Sequence, residues 1–220
     1  MKRIALLLRG TGRLGRDTRG AALLEFALSL PILLVMSLTG AELTNYITTR
    51  MRISQLALHL ADNAARMGSG GQLMAKTISE ADINDLLTGA GLQAGELELY
   101  ANGRVILSSL EPTANPNTNS TYKITWQRCR GSKTTHGSTY GTVGQSSGTN
   151  MTGMGPSGRQ AVAPDNGATM FVEVYYEYQP LVKTSLAPTT EIVEVASMMV
   201  RDARDLTQIY NAENATRATC

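Results

Sequence analysis

Residues 21–40 read AALLEFALSLPILLVMSLTG, twenty positions with a single charge, Glu25. A helix of about twenty apolar residues, rising ~1.5 Å per residue, spans the ~30 Å hydrocarbon core of a bilayer. No other segment matches it in length and apolarity, so it lacks a partner with which to build a soluble buried core. The preceding stretch carries Lys2, Arg3, Arg9, Arg13, Arg16 and Arg19 against Asp17 alone. Basic residues before a lone span hold that side in the cytoplasm. A single pass is therefore expected, with a cytoplasmic leader over 1–20, a transmembrane helix over 21–40 and the remainder exported. The formal net charge of +2 conceals this division, because the chain beyond residue 20 has 14 Lys+Arg against 17 Asp+Glu. An exported body of net charge −3 gives no case for a nucleic-acid partner.

A cleaved secretory signal is the competing reading. Such a signal has a short basic region, an apolar core of about 7–15 residues and a small-x-small site. Here the basic region is long, the apolar run exceeds that length, and Leu38-Thr39-Gly40-Ala41 is a poor site.

Glu25 sharpens the choice. A carboxylate in a membrane helix costs up to ~3 kcal/mol at the centre and marks a functional position. Glu25 is the fifth residue after Gly20, where the basic stretch gives way to the apolar run. Gly12 has Asp17 at the same offset but is surrounded by arginines, and Gly15 has only Gly20 there. The arrangement of glycine, four residues, glutamate and apolar helix resembles the processing site of type IV pilin-like proteins. In that class a membrane peptidase cuts after the glycine on the cytoplasmic side, which puts the processing site at Gly20 and Ala21. The glutamate there meets the free N-terminal amine of a neighbouring subunit, and a carboxylate in lipid is tolerable when a cation pairs with it.

From Arg19 to Gly68, roughly a quarter of the chain, the sequence resembles the conserved region of the TadE-like family, minor pilin-like components of tight-adherence (Flp-type) pilus systems. The most specific matches are Gly20 with Glu25-Phe26, Pro31 inside the span, and the closing Ala64-Ala65-Arg66. Shorter likenesses recur at WQRCRG and MFVEVYYEYQP. Major pilins of these systems carry Tyr after the glutamate and are far shorter, so Phe26 and the large C-terminal region imply a minor subunit. The resemblance implies a bacterial inner-membrane location with a periplasmic C-terminal domain, and incorporation in a pilus. The implied partners are membrane lipid, a prepilin peptidase, other pilin-like subunits and the pilus secretion machinery. Glu25 and Phe26 would form the intramembrane subunit contact. The alternative is an uncleaved single-pass anchor carrying a periplasmic binding or sensor domain.

Beyond Gly40 the helix is expected to continue to Met67 as an amphipathic extension over 41–67. Its apolar stripe is read as Leu43, Tyr46, Ile47, Ser54, Ala57, Leu58, Ala61, Ala64 and Ala65, and the glycines at 68, 70 and 71 stop it. Pro31 predicts a kink or loosened turn. Glu42 reads as a residue of the membrane interface and His59 as a solvated one.

An α+β domain over 72–210 should follow, a small antiparallel sheet packed on the long helix, with a tail over 211–220. Ser79 to Asp82 reads as a capping box opening a helix that Gly89 ends. Leu97 and Leu99 alternate with glutamates before Asn102-Gly103, which predicts a hairpin into Arg104–Leu107. Tyr122–Gln127 and Met170–Tyr178 alternate as strands, the latter placing Met170, Val172, Val174, Tyr176 and Tyr178 on one face. Glu173 and Glu177 fall on the other, read as a solvated strand face. Thr190–Val200 is the last strand, and 201–210 has the composition of a strand tail or a helix.

The stretch 131–169 holds nine glycines and one acidic residue, Asp165. It predicts a long surface loop without a core of its own. Its Met151 and Met154 are too few for a copper site. Cys129 and Cys220 are the two cysteines. In an exported chain they make one internal disulfide the economical reading, beside two free thiols or a bridge from Cys220 to a partner. Two Cys and two His without ligand spacing predict no metal. No phosphate loop, nucleophile elbow or catalytic grouping is apparent, so no cofactor and no enzyme activity are expected.

Overall fold

The computed structural model describes residues 20–71, 74–144, 151–182 and 189–220. The basic leader expected over 1–20 thus lies outside the described residues except for Gly20, as do residues 145–150 of the expected loop. Helix α1 runs unbroken over Ala21–Arg66, 46 residues, or about 69 Å at the standard rise. Pro31 is accommodated inside it. Helix α2, Glu80–Ala94, follows. A 3-10 turn (Gly95–Leu97) and a single helical turn, α3 (Leu99–Asn102), then lead into the sheet. The strands are β1 (Gly103–Pro112), β2 (Tyr122–Arg130), β3 (Thr169–Glu177) and β4 (Glu191–Met199). They form one antiparallel sheet in the order β2-β1-β3-β4. The long helix packed on this small sheet is the expected α+β, pilin-like arrangement.

The core lies between α1, α2 and the inner face of the sheet. Met170, Val172, Val174, Tyr176 and Tyr178 face it as their alternation predicted, meeting Ile53, Leu56, Leu60 and Ala64 of α1. The capping box is present, with Ser79 Oγ accepting from Asp82 N and Ser79 N donating to Asp82 Oδ2.

The buried stripe of α1 is rotated from the expected one. Glu42, Thr49, Ile53, Leu56, Ala57, Leu60, Ala61, Ala64 and Ala65 are buried, whereas Leu43, Ile47, Ser54 and Leu58 are exposed. At 100° per residue the shift is about 70°. Both faces carry enough Leu, Ile and Ala to pass as a core stripe, and the head selects the one whose Glu42 it can satisfy.

Three local expectations fail for identifiable reasons. Helix α2 continues past Gly89 to Ala94, because Ala90 and Ala94 are buried against the core. Gly91 takes part in this: a Cβ there would stand 2.6 Å from the Tyr100 ring. The hairpin at Asn102-Gly103 does not form. Leu97 and Leu99 do enter the core, but through the 3-10 turn and α3, joined by Glu98 at φ 47° and ψ 49°. Strand β1 is already paired on both edges by β2 and β3, so no place remains for a strand from 96–100. Gly103 instead opens β1, where a Cβ would strike the carbonyls of Tyr175 and Leu99. Residues 201–210 are neither helix nor strand tail. They run beside the α1–α2 linker through parallel bridges Lys76–Arg204 and Ser79–Tyr210.

The Gly-rich stretch also does more than cover the surface. Met154 and Ala163 are buried with Leu110, Tyr122, Ile124 and Phe171 in a second cluster on the outer face of the sheet. Few apolar residues suffice because β1, β2 and β3 supply most of that cluster.

Candidate membrane and processing site

The first half of α1 is an apolar rod. Its most apolar 18-residue window has a mean hydropathy of 2.1, and none of the window is buried. It is therefore long and apolar enough to cross a membrane once, while the second half carries the head. Leu23, Leu24, Leu28, Ile32 and Leu33 all stand exposed. Three hydroxyls in and just past the rod are satisfied by the helix's own carbonyls. Ser29 Oγ donates to Phe26 O at 3.2 Å, Thr39 Oγ1 to Val35 O at 2.7 Å and Thr44 Oγ1 to Gly40 O at 2.8 Å.

Gly20 is the N-cap residue of α1 and makes no side-chain cap; Ala21 is the first helical residue. Glu25 and Phe26 lie on the exposed rod, Phe26 60% exposed. Glu25 has no hydrogen-bond or ion-pair partner among the described residues. A carboxylate on an apolar rod with no partner in its own chain needs one from outside, from headgroup, water or another subunit.

Where α1 leaves the rod, the head grips it. Glu42 is 2% exposed. Its Oε1 accepts from Tyr178 Oη at 2.7 Å and its Oε2 from Val182 N at 3.0 Å. Asn45 Nδ2 donates to the same Tyr178 oxygen at 2.7 Å, and Tyr46 meets the Tyr178 ring edge-on. The Tyr178 bond in particular holds the Glu42 carboxyl below its ordinary value, and burial pushes the Tyr178 phenol up to about 12. Glu42 is thus a buried anchor point of the head, not the membrane-interface residue expected. At the far end of α1, Arg204 Nη2 donates to the carbonyls of Ala64, Ala65 and Met67. That satisfies the helix's orphan carbonyls and sets a cation at the negative end of its dipole.

Glu173 is likewise corrected, being fully buried on the outer face of β3 rather than solvated. It accepts from Ser138 Oγ at 2.9 Å, Thr139 N at 3.1 Å and Thr139 Oγ1 at 2.8 Å. His136 Nε2 lies 3.2 Å from it, with the imidazole stacked on Tyr175. Serine, threonine and histidine all address the carboxylate and not one another. The cluster ties 136–139 to the sheet. Glu177, its neighbour in the sequence reading, instead pairs with Lys133.

Cys129 and Cys220 form a disulfide, with Cα atoms 4.8 Å apart across a separation of 91 residues. It fixes the tail along β2, where Cys129 N donates to Ala218 O at 2.8 Å. His59 is exposed on α1 beside Gln93. Among the described residues no three His, Cys, Asp or Glu gather as a metal site.

Three residues with clear structural work were missed or misread. Glu42 and Glu173 had signals, each a lone carboxylate in an otherwise apolar run. Arg204 had none, since its acceptors are backbone carbonyls 137 to 140 positions away.

The fold and the rod define a class, an α+β head carried on a long apolar N-terminal helix in a pilin-like arrangement. No family model, curated protein or solved structure matches the chain.

Proposed function

We propose that this chain is a minor pilin-like subunit for assembly of a tight-adherence (Flp-type) pilus, cut after Gly20 by a prepilin peptidase. One observation carries the reading. Glu25 stands unpartnered on an uncovered apolar rod, five residues after the glycine at which the basic leader ends. A lone carboxylate in lipid is expensive, and a neighbour's N-terminal amine, released by the cut, neutralises it. In this reading the leader stays in the cytoplasm, α1 crosses the inner membrane, and the disulfide-bonded head works in the periplasm against other subunits or the secretion channel. The TadE-like stretch from Arg19 to Gly68 supports it. So does the head's firm grip on α1 at Glu42, which makes anchor and head move as one body.

The test is the mass of the protein from cells with and without the cognate prepilin peptidase. An N-terminus at Ala21 only when the peptidase is present is the expected result, and Met1 in its presence sinks the reading. Glu25→Ala should leave insertion intact and lower piliation.

The second reading, an uncleaved anchor with a periplasmic binding domain, draws on a cleft of about 410 Å³ between β2 and residues 204–209. Trp126, Arg128, Glu80 and Arg217 line it. Arg128, however, is already committed to Glu80, with its Nε donating to Oε2 at 2.8 Å.

A further inference from the structure

The turn between β3 and β4 comes back to α1 at the point where the apolar run ends. Glu42 stands two residues past Gly40, where that run closes, or about 3 Å further along the helix. Its Oε1 accepts from Tyr178 Oη at 2.7 Å and its Oε2 from Val182 N at 3.0 Å. On the returning arm of the turn, Thr189 Oγ1 lies 3.1 Å from Tyr46 Oη, one helical turn further on. Both arms are therefore tied to the helix, and the turn has a fixed height on α1.

That height can be compared with the bilayer. The hydrocarbon core is ~30 Å thick and the headgroups bring the whole to about 40–45 Å, so each headgroup layer is roughly 5–8 Å deep. The run cannot slide far across this core, because Arg19 precedes it and Glu42 and Asn45 follow it. Val182, held by Glu42 about 3 Å past the run, falls inside the headgroup layer. Beside it Leu181 is 66% exposed. Single exposed leucines are ordinary on a protein surface. Its level in the bilayer distinguishes this one. The described residues of the turn, Gln179, Pro180, Leu181, Val182, Thr189 and Thr190, carry no charge. Glu42, the carboxylate at this level, is buried under the turn and kept from phospholipid phosphates. Glu177 and Glu191 pair in register further from the turn, and Glu177 is held by Lys133.

We propose that the β3–β4 turn seats on Leu181 in the phospholipid headgroup layer, a second membrane contact beside the span. The partner is the lipid surface, because the Glu42–Val182 bond joins the turn to α1 directly above the hydrocarbon. The inference rests on α1 crossing a bilayer, as proposed above, and not on cleavage after Gly20 or on a pilus. A lone helix leaves its head free to tilt and to turn over the membrane, whereas packing and interfacial anchors fix tilt and rotation. Leu181 supplies such an anchor to one side of the helix axis. The sheet follows the turn, which directs its opposite end, at Thr169 and Met199, away from the bilayer.

The test uses the full-length chain in phosphatidylethanolamine–phosphatidylglycerol vesicles doped with a lipid carrying a nitroxide on its headgroup. Cys129 and Cys220 are bonded to each other, so one introduced cysteine is the lone thiol. Bimane on Thr190→Cys, with Leu181 intact, should be quenched several-fold more than bimane on Met199→Cys at the opposite end of β4. Adding Leu181→Asp should bring quenching at position 190 down to the level at 199 with the melting temperature unchanged, since Leu181 is exposed. Bimane on Ile32→Cys, read with a nitroxide on the acyl chain, reports the span in the same vesicles. Equal quenching at 190 and 199 while position 32 is quenched overturns the seat and leaves the span standing. Quenching at 190 that survives Leu181→Asp also overturns it, because nearness to α1 would then suffice. An unquenched position 32 removes the span and the seat together.

Discussion

Glu42 Oε1 accepts a 2.7 Å hydrogen bond from the Tyr178 hydroxyl, joining the helix just past its apolar rod to the residue that follows β3. The sequence separation is 136 residues. This contact sets the angle at which the head leaves the membrane anchor, because both groups are buried and neither has water to exchange for its partner.

Acid should loosen this grip. The Glu42 carboxyl is held below its ordinary value of 4.5 by Tyr178 first and by the Val182 and Leu181 amides. A carboxyl depressed on folding contributes stability that is complete above the ordinary value and lost as the pH falls through the lowered one. The melting temperature of the wild type should therefore drop below about pH 4.5, and Tyr178→Phe should flatten that part of the profile as well as lower the plateau. An unchanged acid limb in Tyr178→Phe would show that other carboxylates govern it.

The rotated stripe of α1 gives the sharpest stability test. Leu56→Ala empties a core position and should cost about 2–5 kcal/mol. Leu58→Ala, two residues on, removes a half-exposed side chain and should stay within about 0.5 kcal/mol for the head measured alone in detergent. Denaturant midpoints in the reverse order would return the core to the stripe read from the sequence.

Glu173 and Glu177 should part company. Glu173→Ala strips the partner from Ser138, Thr139 and His136 inside the protein, and breaking a buried network of this kind costs about 3 kcal/mol or more. Glu177→Ala loses a half-exposed contact with Lys133 and should cost about 1 kcal/mol or less. Chemical denaturation of the two variants compares them directly, and similar losses would contradict the buried role of Glu173.

Reduction of Cys129–Cys220 should destabilise the head by up to ~4–5 kcal/mol, the loop-closure value for a loop of this length. The reduced chain should also migrate more slowly on a non-reducing gel. Identical mobility would count against the bridge, and an oxidised species running at twice the mass would place it between chains.

Arg204→Ala should lower stability by about 1–3 kcal/mol, since three carbonyls at the end of α1 lose their donor. Burial brings the guanidinium down to about 10, so part of the bond energy is already spent on desolvation. Hydrogen exchange is the finer probe, with early exchange expected at the C-terminal turn of α1.

The sequence alone settled what depends on one segment at a time. The apolar rod, its continuation as one helix, the Ser79 capping box, the inward face of β3 and the single internal disulfide were each legible from local composition, period or the count of cysteines. The tertiary structure decided wherever two local answers were nearly equal in energy. Two stripes of α1 were apolar enough to be buried, and the sheet chose the one bearing Glu42 because Tyr178 and Val182 could satisfy it. Residues 96–100 alternated like a strand, but β1 had no free edge, so the same leucines reached the core through tight helical turns. Glu173 lay on the alternate face of a strand and read as solvated. Distant Ser138 and Thr139 fold over it and supply the donors that make its burial possible, and no local pattern records that.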